Sequence, residues 1–189
     1  MKISRVVSIF ALLLALAGCT KDGLAPASEQ DGVVASRAKE YVTKPIELRV
    51  EAITDPSSGR IACLPANTGA SAPAAGWMQG HITHLGQLNM PQSPLAHVNC
   101  ELVFDENWHP LKVVIRGSHG YWTGANGDRL DWAGSYESYL DGTFSGDLDI
   151  VGGTGRFEGA TGNLKGSGYV DPETGYAVST GKGYITIPK

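Results

Sequence analysis

From Pro45 onward, apolar and polar residues alternate with a period of two. Ile46, Leu48, Val50 and Ala52 fall on one face and Glu47, Arg49 and Glu51 on the other, the pattern of a half-buried strand. Residues 77–88 continue as a strand after a loop of small residues over 64–76. Residues 98–104 place Cys100, Leu102 and Phe104 on one side, and 111–115 are apolar and β-branched. Residues 120–125 and 129–139 flank Asn126-Gly127-Asp128, which predicts a hairpin with a type I′ turn. Residues 143–151 alternate again through Phe144, Leu148 and Ile150. Residues 161–170 and 175–187 read as the closing strands, separated by the turn residues Asp171-Pro172-Glu173-Thr174-Gly175. Another turn falls at Asp55-Pro56-Ser57-Ser58-Gly59.

This makes eight or so strands with short connections and almost no helix signal after residue 45. The 25 glycines disfavour long helices, since each costs about 1 kcal/mol against alanine in a helix interior. The expected fold is all-β, a small antiparallel eight-stranded β-barrel, with a sandwich as the second choice. Residues 152–162 (Gly-Gly-Thr-Gly-Arg-Phe-Glu-Gly-Ala-Thr-Gly) crowd five glycines around one aromatic, Phe157, and predict a barrel corner or bulge.

The first 44 residues break the pattern. Lys2 and Arg5 precede an apolar run from Val6 to Ala17, interrupted only by Ser8, and Leu16-Ala17-Gly18-Cys19 follows. A basic start, a short apolar core and small residues at the cut describe a secretory signal over residues 1–18. The run is shorter than the roughly 20 residues that a membrane-spanning helix needs. Leu-Ala-Gly-Cys resembles the lipobox of bacterial lipoproteins, in which Cys19 is lipidated and becomes the first mature residue. Residues 19–44 then read as lipidated cysteine and tether, too polar to bury much surface, and 45–189 as the barrel domain. The expected address is the bacterial cell envelope, lipid-anchored. Thr20, where Asp would favour inner-membrane retention in enteric-type sorting, points to the outer membrane.

Charge narrows the partners. The signal holds two of the fifteen Lys and Arg and none of the nineteen Asp and Glu, so the mature chain carries a net charge of −6. That balance, without any basic cluster, argues against nucleic-acid binding. With Cys19 lipidated, Cys63 and Cys100 are left to form one intramolecular pair in an oxidising compartment, or to remain as two buried thiols.

Catalytic signatures are lacking. His81, His84, His97, His109 and His119 are the full set of histidines. His81 and His84, three apart on the predicted strand, face opposite ways and do not share an ion. The reading is therefore no metal, with His84 making a structural hydrogen bond and His97, His109 and His119 in or near loops. The glycines do not spell a dinucleotide motif, Gly181-Lys182-Gly183 is not a phosphate loop, and Gly117-Ser118-His119 lacks the form of an esterase elbow. Asp147 and Asp149 share a strand face and read as its wet side rather than as an acid–base pair. No catalytic residue and no cofactor are assigned.

Three motifs fall in order: Thr83-His84-Leu85-Gly86, Ala125-Asn126-Gly127-Asp128 and the glycine-rich 152–162. Together they resemble the signatures of a group of bacterial secreted proteins. The last is also similar to the Gly-Gly-Thr-Gly-x-Phe segment of plant allene oxide cyclases and dirigent proteins. The resemblance covers roughly residues 45–187 and implies a small eight-stranded antiparallel barrel. It implies no site residue here, because the polar residues of the allene oxide cyclase cavity are not placed on this chain.

Tyr121, Trp122, Trp132, Tyr136 and Tyr139 crowd one hairpin. A barrel of eight strands is about wide enough for side chains to fill, so these aromatics are expected to fill it. The alternative is a cavity open at one barrel end and bordered by Trp132 and Tyr136. The expected role is non-catalytic: an envelope lipoprotein binding a small apolar ligand, or serving a structural or interaction role at the cell surface. The other reading is an isomerase or cyclase acting on a hydrophobic substrate inside the barrel.

Overall fold

A computed structural model describes residues 39–189. The signal segment, Cys19 and most of the expected tether lie outside the described residues. Twelve strands follow one another: β1 (Tyr41–Thr54), β2 (Arg60–Ala62), β3 (Ser71–Pro73), β4 (Ala75–Ile82), β5 (Gly86–Gln87), β6 (Pro94–Ala96), β7 (Asn99–Phe104), β8 (Pro110–Thr123), β9 (Arg129–Tyr139), β10 (Thr143–Thr154), β11 (Thr161–Val170) and β12 (Ala177–Pro188).

Eight of them close a ring. β1 pairs β12, and the ladder continues through β11, β10, β9, β8, β6 and β4, which pairs back onto β1. Every one of these pairings is antiparallel. The ring is thinnest at β6, joined to β8 only through Leu95↔Gly120 and Ala96↔His119. Closure removes the exposed edges that an open sheet would present.

Several boundaries differ from the sequence reading. β1 starts at Tyr41, not Pro45, because β12 runs on to Pro188 and offers Tyr41 to Lys44 ladder partners. The stretch expected as a loop over 64–76 contains β3 and the start of β4. Residues 111–115 and 120–125, expected as separate strands, belong mostly to the single strand β8. A bulge between Ile115 and Ser118 absorbs Gly117, whose φ is +68°. The Asn126-Gly127 hairpin is not type I′, which needs positive φ at both central residues. Only Gly127 is left-handed (φ +85°), and Gly124 N–H donates to Asp128 O at 2.9 Å, so the loop has three residues with glycine at the left-handed position.

The inward positions change in size from one barrel end to the other. On β12 they run Ala177, Ser179, Gly181, Gly183, Ile185, Ile187. At the end where β1 begins, Phe157 clusters with Leu130, Ile150, Leu164, Ile185 and Ile187. Phe157 rides on the 3₁₀ turn Gly155–Phe157 and is fully buried, as is Ala160. The glycine-rich stretch is thus a corner that turns one aromatic into a plug. Arg156 holds the corner to the neighbouring hairpin through Asp128, Nε to Oδ2 at 2.8 Å.

Candidate ligand cavity

The other half of the barrel is hollow. A cavity of about 300 Å³ occupies it, lined by residues from every strand of the ring. Ile53 and Ser71 on its rim are exposed, so the cup opens at the end away from Phe157. The walls are shallow side chains such as Ala52, Gly146, Gly166, Ala177 and Ser179. The expectation of a filled barrel therefore fails for this half, where the inward residues are too small to meet across the lumen.

Trp122, Trp132 and Met78 contribute the deep end. The two indoles stack with centroids 5.5 Å apart at 22°, an arrangement worth about 0.5–1.5 kcal/mol beyond burial. Trp122 Nε1–H donates to Met78 Sδ at 3.4 Å. Trp132 Nε1–H is buried and has no partner among the described residues.

A hydrogen-bonded polar chain of three residues from separate elements runs from the wall inward to the barrel's packing: Tyr136 and His97 line the cavity, and the fully buried Ser118 lies behind them. Tyr136 projects inward from β9, in step with Leu130 and Trp132. Ser118 is turned inward by the β8 bulge, which shifts the inward series from Val113 and Ile115 to Ser118, Gly120 and Trp122. His97 follows β6. Its Nδ1 lies 3.0 Å from Ser118 Oγ and its Nε2 lies 3.0 Å from Tyr136 Oη. Burial, with the nearby charge of His119 second, pushes the His97 pKa down to about 4. Burial pushes the Tyr136 phenol upward. Both rings are therefore neutral at pH 7. Among the described residues, no Asp, Glu, Lys or Arg lines the cavity.

A flap crosses part of the rim. β2 and β3 form a separate two-stranded ladder, and Ser71, Ala72 and Pro73 reach the cavity. Cys63, next to β2, is bonded to Cys100 on β7, with Cα atoms 4.3 Å apart. The pair sits in a small apolar cluster with Ala72 and Ile115, against which Tyr136 packs.

The remaining predicted residues lie elsewhere. Trp132 and Tyr136 are both on the cavity wall. His84 is not on a strand but in the turn after β4, at φ +72°, with Nε2–H donating to Pro45 O at 2.9 Å. His81 is exposed on β4, and His109 is exposed beside Asp105. His119 is on β8, not in a loop, and its Nδ1–H donates to Gly117 O at 3.0 Å. Asp147 and Asp149 are on the outer face, beside Lys165 and Asn163. Sequence reasoning misses His97 and Ser118. The available signal is Gly117, whose bulge reverses which β8 residues face inward.

A second depression, of about 420 Å³, lies on the outer surface over Arg49, Tyr169 and Val178. Its walls are mostly exposed or half-buried residues, and none of its polar side chains is buried.

No family model matches this chain, and no curated protein does either. Among solved structures it is similar to two pterocarpan synthase dirigent proteins. One is 12% identical with a TM-score of 0.45, covering 80% of this chain and 94% of that one. The other is 15% identical with a TM-score of 0.43, covering 80% and 99%. The barrel itself rests on its own strand pairings.

Proposed function

We propose that this chain is a lipid-anchored envelope protein whose barrel holds one small, predominantly apolar ligand without transforming it. The observation that carries the reading is the cavity: about 300 Å³, mostly apolar, uncharged and open at one end. That volume is at the lower limit of usual ligand sites, which combine apolar walls with a few placed polar groups. A barrel filled to both ends would favour a structural role instead. The lipobox ending in Cys19 supports the anchor, and Thr20 favours the outer membrane.

The isomerase or cyclase reading draws on the His97–Tyr136 pair. A working acid and base have pKa values near the operating pH. Here burial drives the base down to about 4 and the phenol up, away from neutrality in both directions. The pair is suited to hydrogen bonding rather than proton transfer, and this favours a carrier.

The test is native mass spectrometry of residues 20–189, exported in the source organism behind an ordinary secretory signal and purified without detergent. A reproducible extra mass released on denaturation is the expected result, and a bare polypeptide mass counts against the carrier. The anchor is tested separately on the full chain extracted from membranes, where an unmodified Cys19 ends that part of the reading.

A further inference from the structure

The polar wall has a direction as well as a composition, and that direction, given the ligand-holding role proposed for the cavity, selects the kind of ligand. Ser118 is fully buried, and its hydroxyl has one partner among the described residues, His97 Nδ1. A buried hydroxyl hydrogen has to be given to an acceptor, so Ser118 Oγ–H donates and Nδ1 accepts. A neutral imidazole has a single N–H, which this leaves on Nε2. Nε2–H therefore donates to Tyr136 Oη, 3.0 Å away. The phenol oxygen is filled as an acceptor, and its own hydrogen has no claimant. Accepting one hydrogen bond polarises a hydroxyl and strengthens it as a donor.

We propose that the ligand is a neutral carbonyl compound of the ketone or ester class, seated with its oxygen on Tyr136 Oη–H. The Tyr136 hydrogen, without a claimant on a predominantly apolar wall whose Ser138 and Ser179 hydroxyls can each donate and accept, calls for an acceptor in the guest. With no cation in the lining, a carboxylate would be buried without a countercharge and is rejected. A pure hydrocarbon leaves that donor unmet.

The probes are 2-acetylnaphthalene and its isostere 2-isopropenylnaphthalene, in which C=CH₂ replaces C=O. They are titrated against residues 20–189, exported in the same way and stripped of any resident ligand, with tryptophan fluorescence as the signal. The ketone is expected to bind about five- to tenfold tighter, the worth of one net hydrogen bond. Tyr136→Phe is expected to remove that preference, so that the two probes bind alike. Infrared spectra of the bound ketone in the unmutated protein give a second readout that needs no variant. Its carbonyl stretch is expected below its value in hexane. ¹⁵N NMR of His97 gives a third, with the proton on Nε2. Equal binding of the two probes with an unshifted carbonyl, or a proton on Nδ1, overturns the carbonyl proposal and leaves the carrier reading standing. If neither probe binds, the carrier reading falls and this inference with it.

Discussion

Acid should loosen this fold through His97. The unfolded chain binds a proton at an ordinary histidine near pH 6.5, whereas the folded ring binds one only near pH 4. Between those values the unfolded state holds the extra proton, so stability falls as the pH drops from about 6.5 toward 4. The difference corresponds to about 3 kcal/mol, fully lost below the folded value. The mechanism is local: protonated Nδ1 can no longer accept from Ser118, and the charge sits in an uncharged cavity wall. Asp105, Glu137, Asp141 and Asp171, each held below the usual carboxylate range by hydrogen bonds, add their own loss at lower pH. Comparison with His97→Gln separates the two contributions, because the carboxylates are common to both proteins. Urea midpoints measured from pH 7.5 to pH 4 should decline more steeply in the unmutated protein, with the gap between the two curves changing by about 3 kcal/mol. Parallel curves, or an NMR titration placing folded His97 near 6.5, would refute the reasoning.

Three further outcomes are expected from the packing. Phe157→Ala, which empties the plugged end, should cost about 3–5 kcal/mol in urea denaturation, and a loss under about 1 kcal/mol would show that the corner does not close the barrel. Replacing Cys63 and Cys100 together by Ser should cost about 3–4 kcal/mol by the loop-entropy argument, the two being 37 residues apart; unchanged midpoints would count against it. Gly166→Leu should fill the cup and abolish the ligand mass seen in native spectra while leaving the circular dichroism unchanged. Retained ligand would place binding outside the barrel.

The barrel is legible in the sequence because apolar and polar residues alternate through most of β1 and β10, and because half-buried strands admit little else. The corner at Phe157 is legible from its glycines, although not its purpose as a plug, which depends on strands that meet it only in three dimensions. β8 reads as two pieces because Gly117-Ser118-His119 looks like a break; a bulge keeps the ladder running on either side of it. The same bulge hides the site. Strict alternation from Val113 and Ile115 would point Gly117 inward and Ser118 outward, and the extra residue reverses this. His97 cannot be found by period at all, since it lies between β6 and β7 and gains its role only from Ser118 and Tyr136, 21 and 39 residues away. Trp132 and Tyr136 are readable as a pair because they share parity on one strand.

The hollow half raises a physical question, since an interior that is not packed gives up dispersion and burial. The glycines around it answer in two ways. A Cβ on Gly146 would lie 2.4 Å from Ser135 O, and one on Gly76 would lie 2.4 Å from Ile53 O. Both are held to glycine by the close approach of neighbouring strands, whatever the cavity does. Gly166 is different. Its Cβ would meet nothing nearer than Thr180 O at 3.4 Å, an ordinary contact, and it faces the cavity. Alanine there would also recover conformational entropy and strand propensity that glycine gives away. The chain forgoes a side chain where backbone geometry permits one, at the midpoint of an inward series whose neighbour Leu164 is fully buried. Backbone crowding therefore accounts for part of the hollow, and Gly166 for a part that crowding does not impose.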